Sequence, residues 1–262
     1  MNFECKFSHF AAELERLGAT GSRPTSIPAS LRMEGDGRFE MFYAPFDHVN
    51  VAAKVVVVGI TPGLFQALIA LETAAQQLSK GQPAEIVLRE AKMAASFAGA
   101  TRSNLVSLLD HVGLANKLGI RTTSHLWGAH ANLAHFTSAL RYPIFEHGRN
   151  YSGAGITRHP FLAKQADKWF GAECRCLPNA LFVPLGSAAE SVCDRMVTKG
   201  FISRERVLAG LPHPSPANIE RIAYFLGRKE ARLLSAKTNG PRLDDCRTRL
   251  IAQISATSFE GA

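Results

Sequence analysis

Two short stretches hold the residues best suited to chemistry: Gly59-Ile60-Thr61-Pro62-Gly63 and His213-Pro214-Ser215-Pro216-Ala217-Asn218. A histidine can face a developing negative charge as a hydrogen-bond donor or cation; a lone histidine is more often structural, and its place inside His-Pro-Ser-Pro reverses that balance. Thr61 can orient a water through its hydroxyl but carries no negative charge. Asp47 and His48 form a polar pair ahead of an apolar run; either they cap local backbone groups, or Asp47 supplies a carboxylate. Ser187 stands after one apolar run and before a helical pattern, where a serine caps a helix and free N–H groups attract phosphate.

Other candidates are weaker. The five cysteines, at 5, 174, 176, 193 and 246, include no CxxC pair, so neither a disulfide framework nor a metal site is expected. Cys174 and Cys176 are two apart and could share a ligand, but nothing nearby completes a set. The nine histidines contain no HExxH, and most read as surface or hydrogen-bonded residues.

These residues need elements to position them. Val55–Val58 is a run of β-branched side chains with no polar face, which predicts a strand covered on both sides and a tight turn over Gly59–Gly63. In open α/β sheets ligands bind beyond the carboxyl ends of the strands, and the turn falls there. Helical patterns are expected over 7–17, Leu64–Leu78, Ala84–Ala95 and Pro160–Phe170, with Lys80-Gly81-Gln82-Pro83 ending one helix and opening the next. Residues 21–35 read as a connecting loop. Phe97 and Gly99 are expected on a loop of the strand-to-helix kind, before a helix bearing Leu105, Leu108, Leu109 and Val112. Further strands are expected at His135–Leu140, in ALFVPLG up to Gly186, and in VLAGLP, followed by a helix over Ile219–Leu234 carrying Arg221, Arg228, Lys229 and Arg232. HGRNYSGAG reads as a polar, glycine-rich loop, with basic Arg141 and Arg149 flanking aromatic Tyr142 and Tyr151. The alternation predicts an α/β fold, a three-layer α/β/α sandwich with a mainly parallel four-stranded sheet. No repeat or long linker divides the 262 residues, so one domain is expected.

Composition narrows the partners. A formal charge of +8 favours an acidic polymer, because neutralising phosphates releases condensed counterions. No apolar run approaches the ~20 residues that cross a bilayer. MNFECKFSHF lacks the apolar centre of a signal peptide. A cytoplasmic protein without membrane contact is expected.

Several of these stretches together resemble the uracil-DNA glycosylase superfamily over about residues 40–230. GITPG resembles its first active-site motif, HPSPAN its second, and LFVPLGSAAE the strand and Gly-Ser loop between them. GLPHPSPANIERIAYFLG continues in register, and SFAGATRSNLVSLLDHVGL resembles the family's aromatic-then-glycine loop and helix. The nucleotide-binding competitor is disfavoured, since the turn after Val58 has neither G-x-G-x-x-G nor a Walker lysine.

The resemblance implies excision of uracil from DNA by hydrolysis, with the base flipped out of the stack, no cofactor and no metal, by a monomer that binds DNA containing uracil or abasic sites. It assigns His213 to the departing base and Thr61, with Asp47 as a substitute carboxylate, to the water. Gly59, Ile60, Pro62, Gly63, Phe97 and Ser138 would bind the base. Gly186, Ser187, Pro214, Ser215, Pro216 and Asn218 would hold DNA phosphate. The chain departs from the pattern in four places. GITPG has no carboxylate; a helical insertion separates it from Phe97; Ser138 stands where relatives keep a base-reading asparagine; and Ala217 stands where many insert a bulky side chain into the duplex. The alternative implied function is a catalytically weak protein of the same fold that binds uracil, mismatches or abasic sites.

Overall fold

The computed structural model describes residues 6–19 and 24–259; Cys5, the first part of the loop expected over 21–35, and 260–262 lie outside them. In chain order the elements are α1 (Phe7–Ala19), β1 (Arg32–Gly35), β2 (Phe39–Phe42), β3 (Val55–Gly59), α2 (Leu64–Ser79), α3 (Ala84–Ala95), α4 (Ala100–His111) and α5 (Leu114–Leu118). There follow β4 (Ala134–Ser138), β5 (Ile144–Glu146), β6 (Arg149–Asn150), α6 (Pro160–Cys176), β7 (Leu181–Pro184), α7 (Ser187–Thr198), α8 (Ile219–Phe225) and α9 (Gly240–Ala256). The fold is α/β.

The chain forms two compact units. One contains the described parts of Met1–Val49 with Gly59–Ser96 and Phe136–Cys176; the other contains Asn50–Val58, Phe97–His135 and the described part of Leu177–Ala262.

Among the described residues the parallel sheet has three strands, in the order β4-β3-β7, rather than the four expected. Val55–Val58 are wholly buried and pair in register with Leu181–Pro184. The expected fourth strand, VLAGLP, survives as a single parallel bridge between Val207 and Phe182, with Leu208 N–H donating to Phe182 O at 2.8 Å. Gly210, at φ +115, and Pro212 interrupt a longer ladder.

A second sheet was not anticipated. It is antiparallel, in the order β1-β2-β5-β6, and lies in the first unit. Its pattern is present in the sequence: along β2, Phe39 and Met41 are buried while Glu40 and Phe42 are less so, the period of a half-buried strand. Residues 32–35, expected as loop, form β1. The glycine-rich stretch opens with a hairpin whose two-residue turn, His147-Gly148, has φ +48 and +73, a combination matching the right-handed twist of the strands.

Two further expectations are corrected. The helix beginning at Ile219 ends at Phe225, because Gly227 takes a left-handed φ of +71 and closes it; only a short 3-10 turn, Ala231–Leu233, follows. The loop bearing Phe97 joins two helices, α3 and α4, rather than a strand and a helix. Among the described residues no helix is long and apolar enough to cross a membrane.

Candidate functional site

In the second unit, three connections hold the residues singled out by the sequence. β7 ends at Pro184, and Gly186 then adopts φ +79 as the residue before α7. A side chain there would be strained, and an ideal Cβ would lie 3.1 Å from His213 Cβ. Glycine therefore allows the two loops to approach, and Gly186 N–H donates to Leu211 O at 3.2 Å. Glu190, in the first turn of α7, accepts the N–H of Gly210 at 2.6 Å and so fixes the entry to Leu211-Pro212-His213. Ser187, the first residue of α7, is exposed.

His213 is half-buried, and burial lowers its pKa below the ordinary histidine value. It is therefore neutral at physiological pH. Its Nδ1 accepts the backbone N–H of Ser215 at 3.2 Å. A neutral imidazole whose Nδ1 accepts must carry its hydrogen on Nε2, so the ring offers a donor there. The loop is tied down on both sides. Asn104 of α4 donates through Nδ2 to Pro214 O at 2.9 Å, and Asn218 Nδ2 donates to Ser215 Oγ at 3.3 Å. Arg221 continues the chain, donating to Asn218 Oδ1 at 3.1 Å and to Lys237 O at 3.1 Å. Pro214 is buried; Pro216 and Ala217 are exposed.

Phe97 has φ +53, a region that a bulky non-glycine residue rarely occupies. Such a conformation costs about 1–3 kcal/mol and persists only where the surroundings impose it. Ser96 precedes it, buried, with its hydroxyl donating to Lys92 O at 2.6 Å. Gly99, at φ +78, precedes α4.

The first unit holds the remaining candidates. Gly59 O accepts Ala139 N–H and Ile60 O accepts Leu140 N–H, each at 2.9 Å, so these two carbonyls pair with the chain just past Ser138, which is half-buried at the end of β4. Thr61 Oγ1 donates to Tyr142 O at 3.0 Å and accepts Ile144 N–H at 3.1 Å. The hydroxyl thus stitches the turn to the start of β5 and keeps one lone pair, which could accept from a water but could not take its proton. Pro62 is buried; Gly63 precedes α2, whose Leu64 N–H donates to Asn150 Oδ1 at 2.9 Å.

Asp47 lies on the loop that precedes β3, and it is buried there. Its Oδ1 accepts Lys6 N–H at 2.8 Å and the Tyr142 hydroxyl at 2.7 Å, and its Oδ2 accepts the Tyr43 hydroxyl at 3.0 Å. Both oxygens are occupied by donors of the same unit, so Asp47 anchors structure instead of activating water. Around it lie charges whose burial and pairing sequence reasoning missed, Arg141 reading there only as a basic residue beside the glycine-rich loop. Arg141 pairs with Glu173 at 2.6 Å, and Lys92 Nζ donates to His48 O at 2.6 Å. Their polarity marks them as exceptions only once burial is known. Ile219 was missed too: it is 59% exposed at the start of α8, just after the HPSPAN loop. Helical periodicity at that position says nothing of exposure.

Among the described residues no group of three or more His, Cys, Asp or Glu gathers as a metal site, and Cys174, Cys176, Cys193 and Cys246 are free thiols.

The molecule is thus an α/β protein with a histidine, its Nδ1 accepting a backbone N–H, in the loop before α8, and a strained phenylalanine in the loop between α3 and α4. No protein-family model matches the chain, and no solved structure matches it. It is 34% identical over 234 residues to the uncharacterized protein YoxB of Bacillus subtilis (strain 168), across 88% of this chain and 91% of YoxB. The chain belongs to the family of YoxB.

Proposed function

We propose that the protein is a monofunctional uracil-DNA glycosylase, hydrolysing the bond between uracil and deoxyribose after flipping the base out of the stack. The observation that carries this reading is the bond from Ser215 N–H to His213 Nδ1, because it leaves a fixed Nε2–H donor on a neutral ring. As the glycosidic C–N bond breaks, its electron pair moves onto the uracil, and charge develops on a carbonyl oxygen of the base. A preorganised donor facing that oxygen lowers the barrier, and a neutral one does so without having to surrender a proton. Phe97, held at φ +53, supplies a face for the extruded base. Ser187 at the start of α7 and Ser215 in the His213 loop hold phosphate. Water adds to the sugar carbon and its proton leaves to solvent. By motif resemblance Thr61 orients this water, and Gly59, Ile60, Pro62, Gly63 and Ser138 contact the base. The three-layer superfamily arrangement, a monomeric state, a cytoplasmic location and the absence of a cofactor belong to the same proposal.

A second reading, a slow or inactive protein that binds uracil or abasic sites, is favoured by one observation. Thr61 Oγ1 is committed to two backbone groups and Asp47 to three donors, so GITPG and its neighbour offer no free carboxylate to a sugar cation. Incubating the purified protein with uracil-containing and abasic oligonucleotides separates the two. Base release that Phe97→Ala and His213→Ala abolish supports the enzyme; retention without release supports the binder; neither activity rejects both.

A further inference from the structure

We propose that Asn104 is a positioning residue that sets the tautomer of His213; its consequence for the reaction rests on the glycosylase reading, its geometry does not. Asn104 Nδ2 donates to Pro214 O at 2.9 Å, and Ser215 N–H donates to His213 Nδ1 at 3.2 Å. The carbonyl of Pro214 and the N–H of Ser215 belong to a single peptide group. That group is planar and, there being no cis bond among the described residues, trans, so its two polar atoms point in opposite directions. One edge of the plate is held by Asn104; the other edge addresses the imidazole.

The plate turns through ψ of Pro214 and φ of Ser215, while the proline ring holds φ of residue 214. Turning it removes the N–H from His213 Nδ1 and the carbonyl from Asn104 together. The Asn104 bond opposes that rotation. It also polarises the peptide group, strengthening donation at the far edge. Without Asn104, Nδ1 can lose its donor and take the ring hydrogen itself. Nε2 then becomes an acceptor, and a neutral His213 no longer offers a hydrogen to an oxygen.

The placement of Asn104 adds a second consequence. It lies in α4, which begins directly after Phe97, Ala98 and Gly99, and α4 also packs against Pro216–Asn218 and α8. One helix therefore starts from the strained phenylalanine and carries the amide that governs the histidine. A leucine at 104 would keep the side-chain volume and remove the donor, while a glutamine would keep an amide within reach.

The test uses the full chain. Nitrogen-15 NMR of the histidine side chains reads the tautomer of His213 without requiring activity, and single-turnover excision of uracil from a single-stranded oligonucleotide reads the reaction. In wild type the ring should carry its hydrogen on Nε2. Asn104→Leu should shift the ring toward the Nδ1–H form and lower the rate by roughly 10- to 100-fold with little change in substrate affinity. Asn104→Gln should restore both. Should the tautomer move while wild type excises nothing, the positioning role stands and the glycosylase reading falls. An Asn104→Leu protein whose His213 keeps the wild-type tautomer, whatever its stability, overturns the proposal, as would a wild-type ring protonated on Nδ1.

Discussion

Tyr142 donates its phenolic hydrogen to Asp47 Oδ1 at 2.7 Å, across 95 residues of chain. Burial first, and the adjacent Asp47 charge second, push the Tyr142 pKa well above the tyrosine range, so the phenol stays protonated and remains a donor. Removing the carboxylate strands three donors, those of Lys6, Tyr43 and Tyr142. Asp47→Ala should therefore cost about 3–5 kcal/mol in urea unfolding, whereas Asp47→Asn, which keeps an acceptor oxygen, should cost less. An Asp47→Ala protein of wild-type stability that has lost uracil excision would return the carboxylate to the chemistry.

Thr61 gives a prediction opposite to the one its motif suggests. From sequence alone, Thr61→Asp would add the carboxylate that relatives use and raise the rate. The hydroxyl, however, donates to Tyr142 O, and an ionised aspartate has no hydrogen to give. Thr61→Asp should lower both stability and excision, and Thr61→Ala should lose about 1–3 kcal/mol of stability by leaving Ile144 N–H without its acceptor. Thr61→Ser should be close to wild type. Chemical denaturation of the variants checks this, and faster excision by Thr61→Asp would contradict it.

Lys92 makes stability depend on alkaline pH. Burial, with the Arg141 charge acting in the same sense, outweighs the attraction of Glu173 and Asp47 and lowers its pKa to about 8. Its amine donates to His48 O. In the unfolded chain the lysine keeps its ordinary, higher pKa, so between the two values the unfolded state binds more protons. Stability should consequently rise from about pH 8 toward pH 10, by roughly 3 kcal/mol if the full difference is expressed. The buried Cys193 thiol and, at higher pH, the Tyr142 phenol work in the opposite sense, because burial pushes both up and each ionises more readily once unfolded. Urea titrations at successive pH values should show the rise in wild type and lose it in Lys92→Met. Wild-type and Lys92→Met profiles of the same shape would mean the lysine is not confined as described.

Ile219, exposed beside the HPSPAN loop, is the apolar side chain available where Ala217 is too small to enter a base step. Inserting such a group offsets the few kcal/mol needed to unstack a duplex. On the glycosylase reading, Ile219→Ala should reduce excision from double-stranded substrate about 10-fold and leave single-stranded substrate unaffected. Equal losses on both substrates would assign Ile219 a structural role.

On the glycosylase reading, DNA binding should weaken steeply with salt, since a chain of formal charge +8 would release counterions on contact with phosphates. Affinity measured by fluorescence anisotropy at increasing salt should give a steep log–log slope. A flat response would remove the phosphate contribution.

The central strand, its turn and the helices at 64–79 and 84–95 were legible in the chain because each depends on local information. A β-branched run has no polar face to expose, and a glycine-proline break separates two helical patterns wherever they pack. The antiparallel sheet was harder to see because β1, β5 and β6 are very short, and a pair of strands is defined by its partner rather than by itself. The fourth strand shows the converse: VLAGLP has the composition of a strand, but ladder length depends on which backbone groups meet across the gap.

The residue types of the candidate site were also present in the sequence, but their states were not. Nothing in the letters HPSPAN says which nitrogen of His213 carries hydrogen; that depends on a peptide group whose orientation is held from α4. From the letters alone Thr61 offered a hydroxyl for water, and Asp47 either a cap for local backbone groups or a carboxylate. Tertiary structure decided otherwise by bringing Tyr142, Ile144, Tyr43 and Lys6 to them, since a polar group removed from solvent must find its hydrogen bonds within the fold. Sequence thus determined which groups the protein owns, and folding determined which of them remain uncommitted.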